Sequence, residues 1–352
     1  MTYGRGTFVS RREIVVDMTR PLARLAAPLI AVALLASACS SDGSSAGDGS
    51  STGSTGSATP ASNLAGQVAS ADLYAGAPQD FQVGIFASDD QGVKLVSFGS
   101  VDLTFSYLGA DGSGAPQAGV PGGTFPAAFL PAPGTGVGMD TGAPTLTTPA
   151  EARGVYVNQD VAFEEPGVYE TQISADIEGI GSQTLTASFQ VLADPALPAP
   201  GDRALKTENH VIGDTGVKPV SIDSQAQDGS PIPDPELHRE TIAGAIAAAR
   251  PALVLFATPV YCQSLQCGPS LDAMQAIAAD HPGQAEFIHI EIWKDHQNSV
   301  INQAAADWLL RNDDLTEPWL YLIGADGTIV DRWGPLFDPE EVGAALDDLP
   351  QS

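Results

Sequence analysis

Ala252-Leu-Val-Leu-Phe-Ala-Thr-Pro-Val-Tyr-Cys262-Gln-Ser-Leu-Gln-Cys267-Gly-Pro-Ser270 decides how this chain is read. Its first six residues are all apolar and follow Arg250-Pro251, which predicts a strand buried on both faces. Pro269 suits a first helical turn, and Leu271, Met274, Ile277 and Ala278 then recur on one face of a helix that His281-Pro-Gly283 stops. Two thiols therefore fall where a strand ends and a helix begins. The free N–H groups and partial positive charge of a helix start favour thiolate over thiol. Thiolate is the form that attacks disulfides, reduces peroxides and binds soft metals.

The flanking pattern alternates strand and helix. Ile242, Ala245, Ile246 and Ala249 mark a helical stripe before the strand. Residues 286–293 read as the next strand, and Ile301, Ala304, Ala305 and Trp308 as the next helix. Residues 319–323 and 328–333 form a hairpin about Ala325-Asp-Gly327. The last helix begins at Asp338, with Pro339 at its first position, and Glu341 is placed to complete a capping box.

Strand, helix, strand, helix, hairpin and helix, with two cysteines at the first strand–helix junction, resembles the thioredoxin fold over roughly residues 235–350. The resemblance implies an α/β domain with a cis-proline beside the cysteine pair, and Pro318 of Glu317-Pro318-Trp319 stands at that position. It makes Cys262, Cys267 and Pro318 the candidate catalytic residues and implies thiol–disulfide exchange without a cofactor. Exported protein thiols or disulfides, or a redox partner, would be the substrates.

The match departs from the family in three ways. The cysteines are spaced Cys-x-x-x-x-Cys, so a bridge requires the loop to fold back until the Cα atoms stand about 4.4–6.8 Å apart. Cys267-Gly-Pro-Ser270 also matches the family's Cys-Gly-Pro-Cys with serine for the second cysteine, which leaves open which thiol attacks. The apolar first strand lacks the proton-transferring Asp of thioredoxins. His289 and Glu291, on one face of the next strand with Phe287 and Trp293, are candidates to replace it, or are partnered structural groups. His238 is a candidate neighbour of the thiols, or a surface or capping residue.

Other chemistries use the same letters. Proteins of the SCO family are exported and thioredoxin-like and bind copper through Cys-x-x-x-Cys and a distant His. That likeness implies a Cu site from Cys262, Cys267 and His289, or His296, although the cysteine spacing is one residue too long. Atypical two-cysteine peroxiredoxins include Cys-x-x-x-x-Cys, but need Thr or Ser three before the peroxidatic cysteine and Pro seven before; Pro259 and Leu255 stand there. An inert disulfide staple in a thioredoxin-like binding module is the remaining alternative.

Residues 64–193 follow a different rule. Residues 81–86, 101–107, 154–157, 168–174 and 184–191 alternate apolar and polar side chains between Gly and Pro clusters, which predicts an antiparallel β-sandwich of immunoglobulin-like size. The Gly/Pro-rich stretch 109–149 reads as one or two irregular strands with mobile loops. Pro-rich residues 193–201 open a linker and lead-in that runs to 234.

Ahead of these lies a Ser/Gly-rich tether, 39–63, without apolar residues to build a core. Residues 1–38 read as a signal peptide, with Arg20 and Arg24 before an apolar run and Met18 as the expected start. Leu-Ala-Ser-Ala-Cys39 resembles the lipobox of bacterial lipoproteins, implying cleavage before Cys39, acylation of its thiol and a membrane-anchored, extracytoplasmic protein. Without acylation the product is secreted. Outside the cytosol a disulfide persists. With 43 Asp and Glu against 15 Lys and Arg, the net charge of −28 repels nucleic acid and anionic lipid surfaces.

Overall fold

The computed structural model describes residues 64–89, 92–135, 138, 142–262 and 266–350. The expected signal peptide, the tether and the acylation site Cys39 lie outside these residues.

The first region is a large curled antiparallel sheet. Its strands are β1 (Leu64–Val68), β2 (Pro78–Asp89), β3 (Gly92–Ser97), β4 (Ser100–Tyr107), β5 (Gln117–Ala118), β6 (Phe125–Pro131), β7 (Thr145–Thr147), β8 (Gly154–Ala162), β9 (Gly167–Ile177) and β10 (Gly181–Val191). The order is β10-β9-β4-β6-β8-β2-β3-β7, with β1 on β2 and β5 on β4. Period-two side chains give each strand one buried face: Tyr169, Thr171, Ile173, Ala175 and Ile177 of β9 all point inward. They close over Phe81, Phe105, Phe163 and Phe189, whose rings pack mostly edge to face.

Stretch 109–149 corrects the expectation of irregular structure. It supplies three strands, and β6 lies inside the sheet between β4 and β8. Two prolines disguise β6 in the sequence, because proline has no N–H to donate to a ladder and is usually kept out of a strand paired on both sides. The strand tolerates them because its partners are staggered. Phe125–Ala128 pair with β4 and Ala128–Pro131 with β8, so Pro126 and Pro131 each have a strand neighbour on one side only.

The second region carries the thiols. Its mixed sheet has the order β12-β11-β17-β18, built from β11 (Ala252–Ala257), β12 (Glu286–Glu291), β17 (Trp319–Ile323) and β18 (Ile329–Trp333). β11 runs parallel to β12 and antiparallel to β17. Two short pairs intervene, β13 (Trp293–Asp295) with β14 (Val300–Ile301) and β15 (Leu310–Arg311) with β16 (Asp314–Leu315).

Helices cover both faces of this sheet, as the unbroken apolar run of β11 requires. Val254, Phe256, Ile288, Ile290, Tyr321 and Ile323 pack against α1 (Ile242–Ala247) and α3 (Gln303–Leu309). Leu253, Leu255, Leu320 and Leu322 pack against α2 (Cys267–Asp280) and α4 (Pro339–Asp347). The capping box expected at α4 does not form. Asp338 accepts the Glu340 N–H at 2.9 Å, whereas Glu341 turns away to accept the indole N–H of Trp333 at 3.0 Å and a Gln159 amide at 2.5 Å.

The two regions meet through buried polar contacts. Arg332 of β18 pairs with Asp72 at 2.7 Å, between the rings of Tyr74 and Trp319. The Asp72 carboxylate also accepts the N–H groups of Ala196 and Leu197, which fixes the proline-rich connection in place.

Candidate functional site

Cys262 and Cys267 form a disulfide with their Cα atoms 6.0 Å apart. That separation falls within the range a disulfide spans, despite the longer sequence spacing. Cys267 is the first residue of α2 and fully buried, while Cys262 is half-buried. The N–H of Cys267 donates to Cys262 Sγ at 3.3 Å. Among the described residues no side chain caps this helix start, and no acidic residue occupies its first turn, so its positive end is directed at Cys262.

The acid that sequence reasoning sought elsewhere is Glu317. Its carboxylate oxygen and both sulfurs lie within 4.8 Å of one another. It precedes Pro318, which is buried and joined to it by a cis peptide bond. Among the described residues, the buried Glu317 Oε2 has no hydrogen-bond partner. Burial, helped by the nearby Glu291 carboxylate, pushes the Glu317 carboxyl up to about 8. Its only signal in the sequence is its place immediately before Pro318.

Glu291 is fixed by its neighbours. Its carboxylate accepts the N–H groups of Ser224 at 2.8 Å and Trp293 at 3.1 Å, while burial pushes it up to about 7 against those donors. Ser270 is buried in the first turn of α2, its N–H bonded to the Gln266 carbonyl. His296 stacks flat on Tyr261, ring centroids 4.0 Å apart, next to the thiol loop.

The other histidines stand together in a second cluster. His289 of β12 and His238, at the end of the short helical turn Pro235–His238, face each other with ring centroids 5.0 Å apart. His238 is wholly buried, which corrects its reading as a surface or capping residue; β12 and the lead-in segment close over it. Donor atoms of Asp223, Asp234, His238 and His289 lie within 4.8 Å of one another. Burial, reinforced by the His238 ring, holds the His289 imidazole down at about 4, so it is neutral. The structure thus groups Cys262 and Cys267 with Glu317, and His289 with three residues of another site.

No family model matches this sequence, and no curated protein matches it.

Proposed function

We propose that this chain is an extracytoplasmic, membrane-tethered protein whose residues 235–352 form a thioredoxin-like domain performing thiol–disulfide exchange through Cys262 and Cys267. The order of strands and helices, the bridged thiols at the start of α2 and the proline beside them support the fold. One observation carries the chemistry: the sulfur of the half-buried Cys262 receives the helix-start N–H, while a Glu317 carboxyl oxygen stands within 4.8 Å of both sulfurs. The curled sheet, read as an immunoglobulin-like sandwich, serves as spacer or partner-binding module. Acylation of Cys39 would supply the anchor.

The steps balance as follows. A substrate thiolate attacks Cys262 Sγ, the Cys262–Cys267 bond breaks, and Cys267 leaves as thiolate and takes the proton of Glu317. A second substrate thiolate then attacks the mixed disulfide and releases Cys262 as thiolate. The substrate dithiolate has lost two electrons to the protein, its two protons having passed to water before attack, and water reprotonates Glu317 and, as the pH allows, Cys262; the same steps reversed reduce a substrate disulfide.

The reduction potential tests the reading. A value between about −270 and −120 mV marks an exchange protein, and one below about −300 mV marks a structural staple. The full burial of Cys267 favours the staple as the second reading.

Glu317 supplies a pH signature. Its raised carboxyl is protonated below about pH 8 and can donate; above that it ionises and faces the leaving thiolate with a like charge. Substrate-thiolate attack, corrected for the substrate's own ionisation, is expected to fall as pH rises through about 8. In Glu317→Gln that fall should vanish, with the rate near neutrality lower by about 100-fold. The same burial destabilises the wild type as pH rises from the ordinary carboxyl value of 4.5 through about 8. Glu317→Gln should therefore gain stability over wild type across that window in urea titrations; identical pH profiles would remove Glu317 from the mechanism.

A further inference from the structure

We propose that Asp223, Asp234, His238 and His289 form a buried tetrahedral site for a divalent cation, with zinc as the best fit. Four atoms converge: Asp223 Oδ2, Asp234 Oδ1, His238 Nε2 and His289 Nδ1. His238 Nε2 stands 3.5 Å from Asp223 Oδ2 and 3.7 Å from Asp234 Oδ1, and His289 Nδ1 stands 3.8 Å from Asp223 Oδ2. Among the described residues none of the four atoms has a hydrogen-bond partner, although all are buried. Donors bonded to zinc at about 2.0–2.2 Å stand about 3.3–3.6 Å apart in a tetrahedron. Three of the six separations need contract by only a few tenths of an ångström around an ion, and the other three lie within 4.8 Å.

The supporting contacts orient these atoms as ligands. His289 Nε2 lies 3.2 Å from the Ala257 carbonyl, which requires the N–H there and leaves the lone pair on Nδ1 facing a carboxylate oxygen. A cation placed between Nδ1 and Asp223 Oδ2, 3.8 Å apart, would be held by both. Asp223 Oδ1 accepts the Gln225 N–H at 2.7 Å, and Asp234 Oδ2 accepts the Gln275 amide at 2.9 Å. Each carboxylate thus keeps one oxygen for its support and one for the site, the arrangement by which outer groups fix metal ligands.

Charge balance agrees. Two carboxylates with two neutral imidazoles carry −2 in an enclosure all but closed to water, with side-chain exposures of 0–4%. A divalent ion offsets both charges, removing the cost of buried unpaired charge. Imidazole and carboxylate in a tetrahedron suit zinc, and four protein ligands leave no open position, which marks a structural site. The ion would tie the lead-in segment to β12 and, through Ala257, to the end of β11 from which the thiol loop departs.

The test uses the full chain with its disulfide intact, stripped with chelator and titrated with Zn²⁺ or Co²⁺ alone. The expected result is one ion per chain by elemental analysis, retained when Cys262 and Cys267 are both replaced by serine. Cobalt should show tetrahedral ligand-field bands without thiolate charge transfer. Asp223→Asn and His289→Gln should each weaken binding by at least about 100-fold. If circular dichroism shows that these variants do not fold, Gln275→Met, which alters only the support of Asp234, should still weaken binding by about tenfold. No ion retained by wild type, unchanged affinity in the folded variants, or thiolate bands in the cobalt spectrum would overturn the proposal.

Discussion

Cys262→Ser is expected to reduce thiol–disulfide exchange by at least about a thousandfold, the scale on which loss of a nucleophile acts. Cys267→Ser should instead leave a protein that captures substrate as a stable mixed disulfide. The asymmetry follows from burial and from the helix start. An incoming sulfur must reach its target along the S–S axis, and of the two cysteines Cys267 is wholly buried whereas Cys262 is only half-buried. The Cys267 N–H and the uncapped end of α2 stabilise negative charge on Cys262. Glu317 does not oppose this below about pH 8, where it is uncharged. Reduced Cys262 should therefore titrate below the free thiol value of about 8.5. Mass spectrometry of trapped adducts decides: capture by Cys267 in Cys262→Ser as fast as by Cys262 in Cys267→Ser would sink the assignment.

Arg332→Ala is expected to cost about 3–5 kcal/mol of stability, because it leaves the Asp72 carboxylate buried and unpaired. Arg332 and Asp72 side chains are 7% and 5% exposed, so water cannot take over the lost contact. The guanidinium also donates to the carbonyls of Leu197 and Pro198 and lies over Tyr74 and Trp319. The loss should therefore loosen the connection between the curled sheet and the thiol-bearing region together with β18. Replacing both partners, Arg332→Met with Asp72→Leu, should cost far less, since no orphaned charge remains. Urea titrations of the three proteins measure this; a loss under about 1 kcal/mol for Arg332→Ala would show the pair to be solvated in solution.

Much of the site's frame was legible along the chain. Residues 252–257 are apolar without interruption because helices cover both faces of β11, and such a run reads directly as a buried strand. The thiols, the helix after them and Pro318 were equally visible, being local in sequence. β6 was hidden because its prolines violate the usual pattern, and only the stagger of β4 and β8 makes them harmless. His238 was misread because its own neighbours, Glu236-Leu-His-Arg-Glu240, are largely charged, and what buries it arrives from β12.

The sequence by itself determined where strands and helices form around the cysteines, since apolar periodicity, prolines and helix-start residues act within a few positions of themselves. It also set the acidity of the chain and the spacing of Cys262 and Cys267. Which sulfur is accessible, which carboxyl stands beside it, and that Asp223 and Asp234 meet His238 and His289 were decided by tertiary structure alone. These facts depend on segments far apart in the chain, such as those bearing Asp223 and His289, being packed until water is excluded. Desolvation, which turns ordinary carboxyls and imidazoles into a proton donor or a metal cage, is a property of that enclosure.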